Sequence, residues 1–157
     1  MPKPATNPYL RTKIMTASSE ELRLLLYEGC LKFCRQAKHE LTQDKPNFEA
    51  VYENFMRAQK IVLELSTSLN HQVAPELCEK LSALYTYIYR LLVDANLDRD
   101  PAKVDEALEL LDYERQTWQL YMEKNTPTSG SAPAPGYVPA AIPGPQQTAL
   151  SSLSKSA

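Results

Sequence analysis

The chain has 157 residues, of which 43% are apolar and 23% are charged, and this composition fits one modest domain with a single hydrophobic core. Residues 17–124 hold all 19 acidic residues but only 13 of the 17 lysines and arginines, a net charge of -6, so we expect no nucleic-acid partner. No apolar run approaches the roughly 18 residues of a membrane-spanning helix, and no signal-like apolar stretch follows Met1; we expect a cytoplasmic protein without direct membrane insertion.

Proline and glycine divide the chain into three parts. Residues 1–16 form an N-terminal segment, 17–124 contain three prolines and one glycine, and 125–157 contain six prolines, three glycines and a single charge. The middle part has the composition of a folded domain, whereas the last is typical of a flexible, disordered Pro/Ala/Ser-rich tail. Within the domain, Pro46, Pro75 and Pro101 are spaced by about one long helix and a turn, which predicts four helices.

Local signals predict where the first two helices begin and end. Ser18 lies three residues before Glu21, which makes a capping box, so the first helix is predicted from there to about Thr42. Its predicted core stripe is Leu22, Leu25, Leu26, Gly29, Phe33 and Ala37. The second helix is predicted from about Asn47 to Asn70, with the core stripe Val51, Phe55, Ala58, Val62, Leu65 and Leu69.

The last two helices carry proline in their first turn. The third is predicted to open with Pro75 and to end near Leu97, and the fourth has Asp100 as its cap and Pro101 just inside. Their core stripes are Leu77, Leu81, Leu84, Ile88, Leu91 and Ala95, and then Val104, Leu108, Leu111, Trp118 and Met122. Short connections favour antiparallel neighbours, so the sequence predicts an all-α fold, an antiparallel up-down four-helix bundle.

The helices carry more apolar residues than a four-helix core requires. On the first helix a second strip is predicted about 160° from the core stripe, and the next two helices add further residues. These are Leu24, Tyr27, Leu31 and Cys34; then Tyr52, Met56 and Leu63; then Tyr85, Tyr89 and Val93. Two interpretations remain open: a groove for a peptide segment, or a strip covered by the N-terminal segment or a second copy. Tyr9 and Leu10 are predicted to lie in a lid over this strip.

Few residues have the types and spacings of a chemical site. Cys30 and Cys34 share one flank of a helix but lack the paired spacing of zinc modules. Neither His39 nor His71 has a glutamate three residues before it, so the Glu-x-x-His motif of carboxylate metal sites is absent. The four glycines do not form a phosphate-binding loop. The sequence therefore predicts a non-enzymatic protein without metal or cofactor.

Several segments stand in an order that is familiar from one family. They are Asn7-Pro8-Tyr9, residues 15–22, residues 24–33, residues 81–87, Ala95-Asn96-Leu97 and the closing Trp118. Together, over about residues 7–118, they resemble the flagellar secretion chaperone family, FliS. Ser19 stands where the family usually has Pro, and Glu28 where it usually has Asp; we expect neither departure to alter the fold. The tail extends beyond the resemblance.

The resemblance implies a function and partners. Members of the family bind the C-terminal segment of flagellin in the cytoplasm, keep it unpolymerised until export and dock on the cytoplasmic domain of the export gate. The residues predicted to bind the client are Tyr9, Leu10, Leu24, Tyr27, Leu31, Tyr85 and Tyr89. The strongest alternative is a self-associating structural or adaptor bundle that uses the same strip as a homodimer interface.

Overall fold

The computed structural model describes residues 7–125, which form five α-helices and no strands. The helices are α1 (Pro8–Thr16), α2 (Ser19–Leu41), α3 (Phe48–Thr67), α4 (Pro75–Asp98) and α5 (Pro101–Lys124). Within this described range, no helix combines the length and the apolarity that a membrane span requires. The predicted tail lies outside the described residues except for Asn125, and so do residues 1–6 of the N-terminal segment.

The predicted helix starts are confirmed by their caps. The Glu21 amide donates to Ser18 Oγ at 3.1 Å, and the Ser18 amide donates to the Glu21 carboxylate at 2.9 Å, which completes the capping box. The Asn47 side chain accepts from two amides at the start of α3, and Asp100 accepts from one at the start of α5. Since these caps are local, they form from the sequence signals alone.

Helices α2 to α5 pack side by side, each against two of the others, around one core. Contacts between helix ends show that neighbours run in opposite directions. Trp118 Nε1, near the end of α5, donates to the Glu20 carbonyl at the start of α2, at 2.9 Å. The Arg99 guanidinium, after α4, lies 3.7 Å from the ring centroid of Phe48 at the start of α3. Arg99 has a positive φ of 52°, and this left-handed residue ends α4.

The predicted core stripe of α3 is confirmed, because all six of its residues are buried. The predicted orientation of α2 is wrong. Of the six residues of the predicted stripe only Ala37 is buried, whereas three of the four residues of the second strip are buried. Leu22 is exposed, and the others are partly buried: Leu25, Leu26, Gly29 and Phe33. The buried residues of α2 are Arg23, Tyr27, Cys30, Leu31, Cys34, Ala37 and Leu41. Both stripes are apolar at helical spacing, so periodicity does not distinguish them. The inward stripe contains small side chains, which allow neighbouring helices to pack closely, and polar groups, which bind to other buried groups.

The N-terminal segment is helical in α1, which has Asn7 as its cap and contains no buried residue. Tyr9 is 72% exposed, and Ile14 and Met15 are exposed as well. Most of the α2 strip that the segment is predicted to cover is buried in the core. That Tyr9 and Leu10 form a lid stays a prediction.

Candidate protein-binding surface

The residues predicted to form a groove wall fall into two groups. Tyr27, Leu31 and Tyr85 are at most 2% exposed, so the surface position predicted for them is wrong. Their side chains belong to the core and offer no area to a docked segment. The remaining predicted residues are accessible to different extents: Leu24 and Tyr89 are half-buried, and Tyr9 and Leu10 are exposed on α1. That these four bind a partner stays a prediction.

Tyr27 and Tyr85 are buried because they surround a buried arginine. Arg23 donates one N–H to Tyr85 Oη at 2.8 Å and another to Ser68 Oγ at 2.6 Å. The two tyrosine hydroxyls are 2.5 Å apart and share a hydrogen bond. The guanidinium carbon of Arg23 also lies 5.7–5.9 Å from the ring centroids of Tyr27, Tyr85 and Trp118. This buried polar cluster links α2, α4 and α5 with the residue that ends α3.

Glu114 of α5 is buried near the same cluster and gives it an unusual electrostatic character. Burial raises the pKa of Glu114 to about 7, although the charge of Arg23 acts in the opposite direction. Burial also raises the pKa of Tyr27 and of Tyr85 above the ordinary 10.0. Sequence reasoning missed the cluster, although one signal existed: Arg23 lies four residues before Tyr27, on the same strip of α2.

Three accessible apolar side chains lie along one flank of α3. Tyr52 is 53% exposed, Leu63 is 49% exposed, and Met56 lies between them on the same face of the helix. The prediction that these residues are surplus to the core is confirmed by their exposure. They lie about 120° round α3 from its buried stripe, on the flank opposite Ile61, whose side chain faces Gly29 of α2; this flank is therefore the one toward α4.

Helix α4 adds two half-buried residues, Tyr89 and Val93, to the same seam. The direction in which Tyr89 points follows from the position of Tyr87, whose hydroxyl donates to the Glu106 carboxylate of α5. Since Tyr89 lies about 200° further round the helix, it points away from α5 and toward α3. We name the resulting surface the α3–α4 strip; it consists of Tyr52, Met56, Leu63, Tyr89 and Val93.

A second accessible surface lies between α2 and α3. It is an open depression of about 510 Å³ that we name the Phe33 depression, lined by Phe33, Arg57, Lys60, Ile61 and Glu64. The Arg57 guanidinium carbon is 5.6 Å from the centroid of the Phe33 ring, and Lys32 Nζ is 5.8 Å from it. Sequence reasoning missed this site because it assigned Phe33 to the core stripe of the helix.

The two surfaces lie on opposite flanks of α3, one toward α4 and one toward α2, and both have the character of protein-binding surfaces: apolar side chains with a polar rim. Within residues 7–125, no group of three or more His, Cys, Asp or Glu side chains is placed to hold a metal ion. Apolar side chains surrounded by polar ones are suited to contact with a polypeptide segment.

Comparisons with known proteins point to one family. The family model described as "Flagellar protein FliS" matches residues 1–125. A flagellar secretion chaperone FliS of Bacillus subtilis is 37% identical over 116 residues, which cover 72% of this chain and 84% of the relative. Proteins of the same name from Campylobacter jejuni and Escherichia coli are each 29% identical, over 115 and 111 residues; these cover 73% and 70% of this chain and 88% and 80% of the relatives.

Proposed function

The chain belongs to the FliS family, and we propose that it is a cytoplasmic chaperone that binds the C-terminal segment of flagellin in an apolar surface groove. On this proposal the chaperone prevents premature polymerisation and hands the client to the cytoplasmic domain of the export gate. The relatives are named flagellar secretion chaperones, which is a non-enzymatic role. We further propose that α2 to α5 act as an antiparallel four-helix bundle that carries the client on its outside.

The observation that carries the proposal is the α3–α4 strip. The core of the domain is already filled by buried residues of four helices, so the exposed side chains of Tyr52, Met56 and Leu63 contribute little to folding. Contiguous exposed apolar residues of this kind mark interaction surfaces. A helix of 20 residues is about 30 Å long, so α3 offers a long track rather than a single pocket.

A long track suits a client that is disordered before it binds. Ordering a disordered segment costs free energy, and a wrapped interface offsets that cost by burying apolar area over many residues. Tyr89 fits this role because tyrosine combines a large apolar ring with a hydroxyl that can bond to a client backbone. Leu24 on α2 and the exposed Tyr9 and Leu10 on α1 extend the contact in the proposal.

The test is the affinity of the purified chain for a flagellin C-terminal peptide, measured by titration calorimetry. The variant M56E/L63E changes two exposed residues of the α3–α4 strip, and Y113E/L120E changes two exposed apolar residues of α5 as a matched control. We expect the strip variant to bind at least 10-fold more weakly and the control to bind as the wild type does. Equal affinities for all three proteins would contradict the assignment of the strip.

Sedimentation of the purified chain distinguishes the proposed function from the self-associating alternative. On our proposal the chain sediments as a monomer that forms a stoichiometric complex with the peptide. A tight homodimer that the peptide neither dissociates nor joins would favour the structural or adaptor role. Docking on the export gate is tested by adding its isolated cytoplasmic domain to the complex, and we expect this domain to bind the loaded chaperone.

A further inference from the structure

We propose that the Phe33 depression recognises an apolar side chain of the client together with a neighbouring carboxylate, which binds Arg57 and Lys60. This inference rests on the proposed function and specifies the chemistry of the client at one point of the surface. The segment that fits is helical and carries an aspartate or glutamate three or four residues from a large apolar residue, because side chains at that spacing share one face of a helix.

The apolar part of the site comes from two helices. Phe33 of α2 and Ile61 of α3 are both half-buried and pack against the core while keeping part of their surface accessible. The space between them, about 510 Å³ with its rim, accommodates a large aliphatic or aromatic side chain. An apolar side chain placed there gains contact with both helices at once.

The charged part consists of cations that have no acidic partner. Arg57 and Lys60 are exposed and line the depression, and Lys32 Nζ lies 5.8 Å from the centroid of the Phe33 ring. Within residues 7–125, none of these three takes part in an ion pair; the lysines and arginines that do are Lys38, Lys103 and Arg115. Their charge is therefore free to attract a carboxylate of a docked segment.

The surroundings make this attraction selective. Residues 17–124 carry a net charge of -6, so an acidic segment is repelled over most of the domain and attracted where unpaired cations lie together. Glu64 lines the depression as well, so the client carboxylate is directed toward Arg57 and Lys60. The α3–α4 strip lies on the other flank of α3, so a client that contacts both surfaces crosses this helix.

The experiment reverses the charges of Arg57 and Lys60 and measures binding of the flagellin C-terminal peptide by titration calorimetry at 50 and 300 mM NaCl. The variant R57E/K60E is compared with K45E/K124E, which changes two other exposed lysines and alters the net charge equally. We expect at least a 10-fold loss of affinity for R57E/K60E at 50 mM salt, a smaller loss at 300 mM, and less than a 3-fold change for the control. A thermal melt by circular dichroism confirms that both variants are folded.

A second peptide, in which every acidic residue is replaced by glutamine, completes a double-mutant cycle between the protein and the peptide. We expect it to bind the wild type about as weakly as the native peptide binds R57E/K60E, and to bind both proteins alike. If the wild type binds the native peptide and R57E/K60E binds it equally well, the inference is wrong and the proposed function stands. If the wild type binds neither peptide, both are wrong.

Discussion

Replacing the buried carboxyl of Glu114 changes how stability depends on pH. Glu114 is 3% exposed and its pKa in the folded chain is about 7, against an ordinary 4.5. Each tenfold change in an ionisation equilibrium is worth about 1.4 kcal/mol, so ionised Glu114 costs the folded state about 3 kcal/mol. Below pH 4.5 the carboxyl is neutral in both states. As the pH rises toward 7, the unfolded chain releases this proton first, and the free energy of unfolding falls.

Glu114→Gln removes this titration while keeping the size of the side chain. We expect the wild type and the variant to have similar unfolding free energies at pH 4, and the variant to be more stable by about 3 kcal/mol at pH 8. Urea denaturation followed by circular dichroism at both pH values measures the difference, with Glu109→Gln as a control at an exposed position of α5. If the difference between wild type and Glu114→Gln does not grow with pH, the reasoning is refuted.

Four further substitutions test the packing and the capping of the helices. Leu31→Glu buries a carboxylate in the core and should cost more than about 3 kcal/mol, while Leu63→Glu should change stability by about 0.5 kcal/mol or less; similar melting temperatures for the two would place Leu31 on the surface. Tyr85→Phe removes an acceptor of buried Arg23 and should cost about 2 kcal/mol in urea denaturation, and a neutral result would show the cluster to be dispensable. Ser18→Ala removes the α2 cap and should cost about 1 kcal/mol by the same assay; an unchanged midpoint would contradict the role of the cap.

The starts of α2 to α5 were predictable because the signals that cause them are local. The capping box at Ser18, the Asn47 and Asp100 caps, and the prolines that open α4 and α5 each act within one turn of the chain. The core stripe of α3 was predictable as well, since that helix has one strongly apolar face opposite a face of charged residues.

The orientation of α2 was not predictable in the same way. Its two stripes have similar apolar character, and the one that carries Arg23 is buried. Burying an arginine is unfavourable unless other parts of the chain supply partners, and here the partners come from Tyr85, Ser68 and Trp118, all at least 45 residues away in sequence. The spacing of Arg23 and Tyr27 places them on one face of α2, but no local pattern identifies the distant partners that make burial of that face favourable.

For the candidate binding surface, too, the sequence determined some features and the tertiary structure decided others. The surplus of apolar residues, including Tyr52, Met56 and Leu63, is a property of the sequence, and so are the family resemblance and the all-helical character of the domain. Which apolar residues face outward was decided by the tertiary structure, and so was the union of Phe33 with Arg57 and Lys60 in one depression. The physical reason is that helical periodicity specifies faces only relative to a helix's own axis, whereas burial depends on where neighbouring helices pack.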